Sequence, residues 1–385
     1  MQPKIRFNNF FSNWYKSKLD EHVSFFSGLT YSPDDVQEKE DGVLVLRSSN
    51  IQNNNIVYDD NVYVNKDVVN TSYVRSGDII LVVRNGSKRL IGKHALIHSY
   101  MKDTVIGAFM TGIRAKNYYF INALLDSYSF QKQIYKNLGA TINQITNRDL
   151  HNMCFFFPDS LDEQKKVGYF FSILDQIIEQ ADQQLKQYQS LKKGLLQKLF
   201  PQGKEDVPQV RFIGFNDKWI IKKLLDISKL KTGSKNVQDN DIHGKYVFFD
   251  RSIQIKNINE YDYDEETIIY PGEGSSFLPR YFNGKYALHQ RSYSIYDFSE
   301  CVIPKFLYEL LLTKSNDFIR YSVGTTVSSL RRGTFERIII KLPEYDEQKK
   351  ISNLLEKLDK LIELQEKKVN NLKQLKQGLL QQMFC

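Results

Sequence analysis

One run of helical spacing occurs twice in this chain, and any fold must house both copies. Asp162-Glu-Gln-Lys-Lys166 opens the first, which ends at Gly194-Leu-Leu-Gln-Lys-Leu-Phe200. Asp346-Glu-Gln-Lys-Lys350 opens the second, which ends at Gly378-Leu-Leu-Gln-Gln-Met-Phe384. The shift is 184 residues at both ends (162 to 346, 194 to 378), so the copies stay in step throughout. Between those ends apolar residues step by threes and fours, a coiled-coil period. The predicted seam runs through Leu174, Ile178, Leu185 and Leu195 in copy one. In copy two it runs through Leu358, Ile362, Val369, Leu372 and Leu379. A lysine, Lys192 or Lys376, interrupts both seams at the same place, where the helices splay or meet something else. Gly194 and Gly378 sit mid-helix, where glycine costs about 1 kcal/mol relative to alanine; close approach of another helix is the expected reason.

Each helix spans about 55 Å at about 1.5 Å per residue. Burying each seam leucine contributes roughly 1.5–3 kcal/mol, and partners on one chain are at high effective concentration. The expectation is one antiparallel intramolecular coiled coil.

A second repeat frames the first. Pro3-Lys-Ile-Arg-Phe7 followed by Trp14 returns as Pro208-Gln-Val-Arg-Phe212 followed by Trp219, a shift of 205 residues (3 to 208, 14 to 219). The repeat unit is therefore a PxhRF start, a globular region and a long helix. The domains expected are 1–160, a first globule; 161–203, the first long helix with its linker; 204–344, a second globule; and 345–385, the second long helix. This order makes the molecule pseudo-cyclic: the end of the second helix falls near residue 1, the pseudo-twofold crosses the helix pair, and the globules lie at opposite ends. The fold class is α+β, two mixed α/β domains separated by a coiled coil.

Within globule one, 43–46 and 78–83 read as strands, 84–89 as a cation-rich turn, and 92–97 as a further strand. Residues 118–137 read as helix, closed by Gly139-Ala-Thr-Ile142, and 153–157 as a short strand. Ser160 with Glu163 matches a capping box at the start of the first long helix. Globule two repeats the plan with other letters: 268–276 for strand and turn, 280–288 for the next strand, 304–321 for the helix, and Gly324-Thr-Thr-Val327 for the closing step. Frame and edges match, whereas the interiors and loops differ.

Phe and Tyr number 25 and 23, and the hydrophobic fraction is 41%, enough for sizeable cores. No apolar run reaches the ~18 residues of a membrane span, and no secretory leader is evident. Cys154, Cys301 and Cys385 form no CxxC pair, so a reducing cytoplasm is expected. The net charge of +8 is a weak pointer to nucleic acid.

Catalytic patterns are sparse. The glycines of 86–93 are misplaced for a phosphate-cradling loop, and His94 stands where Ser or Thr is needed. No glycine-rich methyl-donor loop follows a strand. Pro158-Asp159 with Glu163-Gln-Lys165 imitates a nuclease set but is too compact to join two strands. His94 and His98 lie four apart in a strand pattern, which does not suit a metal pair. The basic turns carry the stronger signal: Arg84, Lys88, Arg89 and Lys93 in globule one, and Arg280, Lys285, His289 and Arg291 at the matching place in globule two, with Arg251, Arg331 and Arg332 beside them. Such groups bridge phosphates, and Arg can chelate guanine; solvated loops are the plain alternative.

Paired helices opening DEQKK and closing GLLQxhF, PxhRF…W starts and a Gly-x-Thr-h step before each helix together resemble the specificity subunit of type I restriction–modification systems (HsdS). The resemblance covers essentially the whole chain. It implies two target-recognition domains, each reading one half of a bipartite site in double-stranded DNA. It implies helices that space the halves and dock two methyltransferase subunits, and restriction (motor) subunits that join for cleavage. It also implies a non-catalytic subunit that holds no cofactor, with S-adenosylmethionine, ATP and Mg²⁺ belonging to partners in a bacterial or archaeal cytoplasm. The alternative reading is a helical scaffold with two paired protein-binding domains.

Overall fold

The computed structural model describes all residues except 39–40, 139–142, 204, 253, 325 and 385. Both the Gly139–Ile142 step and Thr325 of its counterpart therefore lie outside the described residues. Two compact units divide the chain: 1–182 with 367–385, and 183–366. Each unit combines one globule with half of each long helix.

Unit 1 opens with β1 (Tyr15–Lys18), β2 (Val23–Ser27), β3 (Val36–Gln37), β4 (Val43–Leu46), β5 (Ile51–Gln52), β6 (Asn55–Ile56), β7 (Val62–Val64) and β8 (Ile79–Val82). It continues with β9 (His94–Leu96), β10 (Thr104–Ile106), β11 (Met110–Ala115), α1 (Tyr118–Asp126), α2 (Tyr128–Asn137), α3 (Asn147–Asn152), β12 (Cys154–Phe157) and the long α4 (Leu161–Leu199). Two four-stranded sheets, β10-β4-β7-β3 and β2-β11-β8-β9, carry its core. Strands β4 and β8 are buried at every position, which is why both read as continuous apolar runs.

Unit 2 contains β13 (Ile220–Lys223), β14 (Lys229–Thr232), β15 (Tyr246–Phe249), β16 (Lys256–Ile258), β17 (Tyr263–Pro271), β18 (Arg280–Leu288) and β19 (Ser292–Tyr296). After them come α5 (Pro304–Leu312), α6 (Ser315–Tyr321), α7 (Arg332–Glu336), β20 (Ile339–Leu342) and the long α8 (Tyr345–Met383). Here one six-stranded sheet, β14-β19-β17-β18-β15-β16, replaces the two sheets of unit 1. Strand β18 does the work of two: it pairs antiparallel with β17, as β9 does with β8, and parallel with β15, as β10 does with β4.

The helix expected over 118–137 is two helices. Ser127 breaks it by leaving the helical backbone and accepting the Phe130 N–H through its hydroxyl, the competition with helix that serine is suited to. Thr313 and Lys314 make the equivalent break between α5 and α6.

The long helices have 39 residues each. Both are rich in Leu, Gln and Lys, contain no proline, and carry Asp and Glu in the first turn against the positive end of the helix dipole. Within each unit they run antiparallel. In unit 1, Phe171 faces Phe384, Asp175 faces Lys376, and Asp182 faces Lys373. In unit 2, Gln189 faces Glu366 and Lys192 faces Asp359.

The seam residues are placed as follows. Leu174, Leu358 and Val369 are buried, and Ile178, Leu185, Leu195, Ile362, Leu372 and Leu379 are half-buried. Leu174, Ile178, Leu372 and Leu379 join the unit 1 core and Leu195 joins that of unit 2, so the helix ends also serve as walls of the globules.

Two expectations are corrected. A Cβ at Gly194 or Gly378 would meet nothing within 4 Å, so neither glycine marks a close helix approach. The glycine that does is Gly168, whose Cβ would fall 2.4 Å from the Phe120 backbone nitrogen on α1. The capping box is only half formed. Ser160 Oγ accepts the Glu163 N–H at 3.4 Å, but the Glu163 carboxylate turns away to Arg6 and Trp14. Arg6, half-buried at the helix start, draws that carboxylate more strongly than a single backbone N–H can.

That bond explains why the two sequence repeats travel together. Arg6 grips Glu163 through Nε at 2.6 Å and Nη2 at 2.7 Å. Arg211 grips Glu347 in the same way, at 2.7 and 2.8 Å. The arginine of each PxhRF start is thus clamped to the first turn of the long helix in its own unit. The aromatic residues follow suit: Phe384 packs on Trp14 and Phe120 as Phe200 packs on Trp219 and Phe306. The Ile5 N–H donates to the Gln382 carbonyl as Val210 donates to Lys198. The end of the second helix therefore meets the N-terminal segment, as the pseudo-cyclic order requires.

Candidate nucleic-acid interface

In each unit the loops that follow equivalent strands converge. In unit 1 these are the loops after β4, β8 and β10. Asn85 Nδ2 donates to Ser48 Oγ at 2.9 Å, tying the first two loops together. The Arg84 N–H donates to the Phe109 carbonyl at 3.2 Å, and its guanidinium lies 5.0 Å from the Phe109 ring centroid, tying in the third. Arg84 also forms a β-bridge with Gln144. Arg84, Lys88 and Arg89 are exposed. Lys93 is half-buried and lines a depression with Ser48, Gln52, Asn53 and Leu90. Asn53 and Asn54, with φ of 50° and 62°, form the tip of the β5–β6 hairpin at its rim. All four expected cations therefore belong to one loop cluster. Ser48, Asn85 and Phe109 belong to it as well; nothing in their types singled them out. The asparagine run 53–55 was a readable turn signal.

Unit 2 places the corresponding loops after β15, β17 and β18. Arg251 pairs with Glu273 Oε2, and Arg291 Nη1 donates to Glu273 Oε1 at 2.7 Å. His289 is buried beside them, and its Nδ1 accepts the Arg291 N–H at 3.0 Å. Burial and then the two neighbouring arginines push its pKa down, so the neutral ring is favoured. Arg280 Nη2 donates to the Ser252 carbonyl at 2.6 Å. Arg331 follows Leu330, whose N–H donates to the Gly272 carbonyl at 2.7 Å, so the arginine adjoins the same edge. Arg332 pairs with Glu336 along α7. Lys285 is the exception. It stands opposite Asp264 on β18, over the Tyr261 ring at 4.8 Å, and no contact ties it to the arginine cluster. Glu273 belongs to this cluster too, and a pattern of cations in the sequence gives no sign of it.

Equivalent positions carry opposite charge. Arg84 follows β8 and bridges Gln144, and Glu273 follows β17 and bridges Ser329. Exposed guanidinium, ammonium, amide and hydroxyl groups at such an edge can contact phosphates and base edges. His94 is no part of it. Buried on β9, it lies 3.3 Å from Asp126 with its Nδ1 on the Gly92 carbonyl. Among the described residues no group of His, Cys, Asp and Glu is arranged to hold a metal, and no helix is long and apolar enough to cross a membrane.

The family model of the type I restriction modification DNA specificity domain matches this chain twice, over residues 11–187 and 216–374. The chain belongs to that family, with two copies of the domain. The specificity subunit of the type I restriction enzyme EcoDI of Escherichia coli is 31% identical over 163 residues, 42% of this chain and 35% of that relative. The MjaVIII specificity subunit of Methanocaldococcus jannaschii is 22% identical over 367 residues, 82% of this chain and 79% of its own length. Among solved structures, the S subunit of a type I restriction-modification system from M. genitalium shares the fold over 100% of this chain and 99% of its own, with a TM-score of 0.69 and 17% identity.

Proposed function

We propose that this chain is the DNA-recognition subunit of a type I restriction–modification complex and selects a site on which partners act. Each unit reads one half of a bipartite target in double-stranded DNA. The helix pair fixes the unread gap and docks two methyltransferase subunits, with restriction (motor) subunits joining for cleavage. S-adenosylmethionine, ATP and Mg²⁺ serve those partners, and the site of action is the cytoplasm. The observation that carries the reading is the contrast within each unit. The same Arg–Glu clamp fastens globule to helix in both, yet the converging loops hold different letters, down to Arg84 against Glu273.

The test is to map methylated adenines in DNA from cells with and without this chain, its methyltransferase present. A two-part motif that depends on the chain is expected. In the same assay, one helical turn inserted into both 183–189 and its counterpart 367–373 is expected to lengthen the gap and leave both halves unchanged. Methylation indifferent to the chain removes the recognition role, and an unchanged gap removes the spacing role.

A further inference from the structure

Glu273 is an acidic side chain set between two exposed arginines at the loop edge of unit 2. Its side chain is 19% exposed, against 44% for Arg251 and 61% for Arg291. The carboxylate thus lies beneath the guanidinium groups. Each arginine gives it a single Nη1, and each takes a different oxygen. Among the described residues, Nε and Nη2 of neither fork bond to the carboxylate.

The backbone around the cluster is held. Glu273 bridges Ser329, and the Gly274 N–H donates to the Ser328 carbonyl at 3.1 Å. The Arg291 N–H rests on His289 Nδ1. Ser252, next to Arg251, is gripped at its carbonyl by Arg280.

A guanidinium recognises guanine by placing two N–H groups on O6 and N7 together, which demands a fixed plane. An unsupported surface arginine has no such plane, whereas one bonded to a fixed carboxylate has lost most of its rotamer freedom before DNA arrives.

We propose that Arg251 and Arg291 read guanine in the half-site of unit 2, and that Glu273 is the positioning residue that aims them. The inference rests on the recognition role proposed above. It also accounts for the opposite charge at Arg84: unit 1 offers a guanidinium directly where unit 2 offers a carboxylate that orients two others. The two half-sites then differ in sequence.

The test uses the full chain with its methyltransferase, comparing wild type, Glu273→Gln and Arg251→Lys. The readouts are the methylated motif and competition binding. Glu273→Gln adds one unit of positive charge to the protein, so its binding to random DNA at low salt is expected to be unchanged or tighter. Its discrimination at a G·C pair of the unit 2 half-site is expected to fall between about fivefold and 150-fold. Arg251→Lys keeps the charge but not the fork, and is expected to lose discrimination at one position with the salt dependence of binding intact. Replacing guanine by 7-deazaguanine in that half-site is expected to weaken wild type and leave Glu273→Gln little affected. The half-site of unit 1, read normally by every variant, reports intact folding.

Unaltered discrimination in Glu273→Gln overturns the proposal. So does an equal loss on all DNA, or a wild type indifferent to 7-deazaguanine. A wild-type chain that directs no two-part motif instead refutes the recognition role itself.

Discussion

Units 1 and 2 are built on the same fixtures and differ in how each fixture is completed. In both, a lysine that interrupts the helix seam reaches a carboxylate on the other long helix and a second on the globule. Lys376 joins Asp175 and Asp126 in unit 1, and Lys192 joins Asp359 and Glu309 in unit 2. These lysines sit at equivalent positions of the repeat, as do Asp175 and Asp359. Unit 1 adds His94 and Asn54 around Asp126, whereas unit 2 leaves Glu309 with Lys192 and the nearby Asp359. The Arg–Glu clamps show the same contrast. Trp14 Nε1 donates to Glu163 at 3.1 Å, while Trp219 Nε1 has no hydrogen-bond partner among the described residues. What is shared lies where globule meets helix, and what varies lies in the shells around it and in the loops beyond. The fixtures make a common mount, and the shells and loops it carries differ between the units.

Breaking the clamps should give the largest effect and expose the difference in shell. Glu163 and Glu347 are both almost fully buried, at 1% and 0% side-chain exposure. Replacing either by alanine leaves a largely desolvated guanidinium, 12% or 15% exposed, without its carboxylate, a loss of up to about 3–5 kcal/mol. Glu163→Ala also orphans the indole N–H of Trp14, which adds about 1–3 kcal/mol; Glu347→Ala has no such second loss. Hydrogen exchange, read separately for α1 and α5, is expected to show the greater loosening in unit 1. Equal loosening would mean that the Trp14 bond contributes nothing net.

Much of this was legible in the sequence. The long helices follow from a spacing sustained over the whole repeat, where each apolar residue supports the same period. Their antiparallel sense follows from the order of the repeats. The clamp partners were visible only as separate patterns: Arg6 and Glu163 are 157 residues apart, and no local rule joins them. Ser160 with Glu163 suggested a local cap, and the long-range partner prevailed because the buried Glu163 carboxylate needs a counter-charge and a helix N–H can turn to water. The seam-breaking lysines were readable as anomalies, but their partners on α1 and α5 were not. At the loop edge, the clusters of cations lie on turns that the fold brings together. Sequence could not show that Lys285 stands apart or that Glu273 stands within, because strand twist and loop closure decide both.

The seam lysines offer a finer comparison. Lys376→Met and Lys192→Met each put an apolar side chain of similar length into a coiled-coil seam, which suits the neighbouring leucines. The cost lies in the carboxylates left behind. Burial alone would raise the Asp126 carboxyl, but His94 and Lys376 together hold it well below the usual range, so it is firmly charged. Without Lys376 that buried charge must rely on His94, and a loss of about 3 kcal/mol or more is expected. Glu309 is already pushed up to about 7, mainly by burial, and can take up a proton when Lys192 is gone. Lys192→Met should therefore cost less at neutral pH, by about 1–2 kcal/mol. The same exchange measurement decides the order, and a larger loss for Lys192→Met would contradict it.

The smallest effect per pH unit concerns Glu309 and Asp126, which should act with opposite sign; burial also raises the Asp175 carboxyl of unit 1, which acts in the same sense as Glu309. Glu309 has a folded-state pKa of about 7, above its ordinary value of 4.5. It binds its proton more tightly in the folded chain, so its contribution to stability is fully present below pH 4.5 and is lost as pH rises through about 7. Asp126 is the reverse: its folded-state pKa is depressed, so its contribution is present above the ordinary 3.8 and is lost only as pH falls. Between pH 5 and pH 8, therefore, Asp126 contributes evenly to unit 1, while unit 2 weakens by at most about 1.4 kcal/mol per pH unit. The groups facing Glu309 are Lys192 on α4 and Asp359 on α8, with Tyr308 beside it on α5, and its burial outweighs the lysine. Opening free energies from hydrogen exchange, corrected for intrinsic rates, should fall with pH around α5, and Glu309→Gln should flatten that slope. If the slope persists in Glu309→Gln, another group titrates in unit 2, and the contrast between the two lysine sites reduces to their neighbours on the globule.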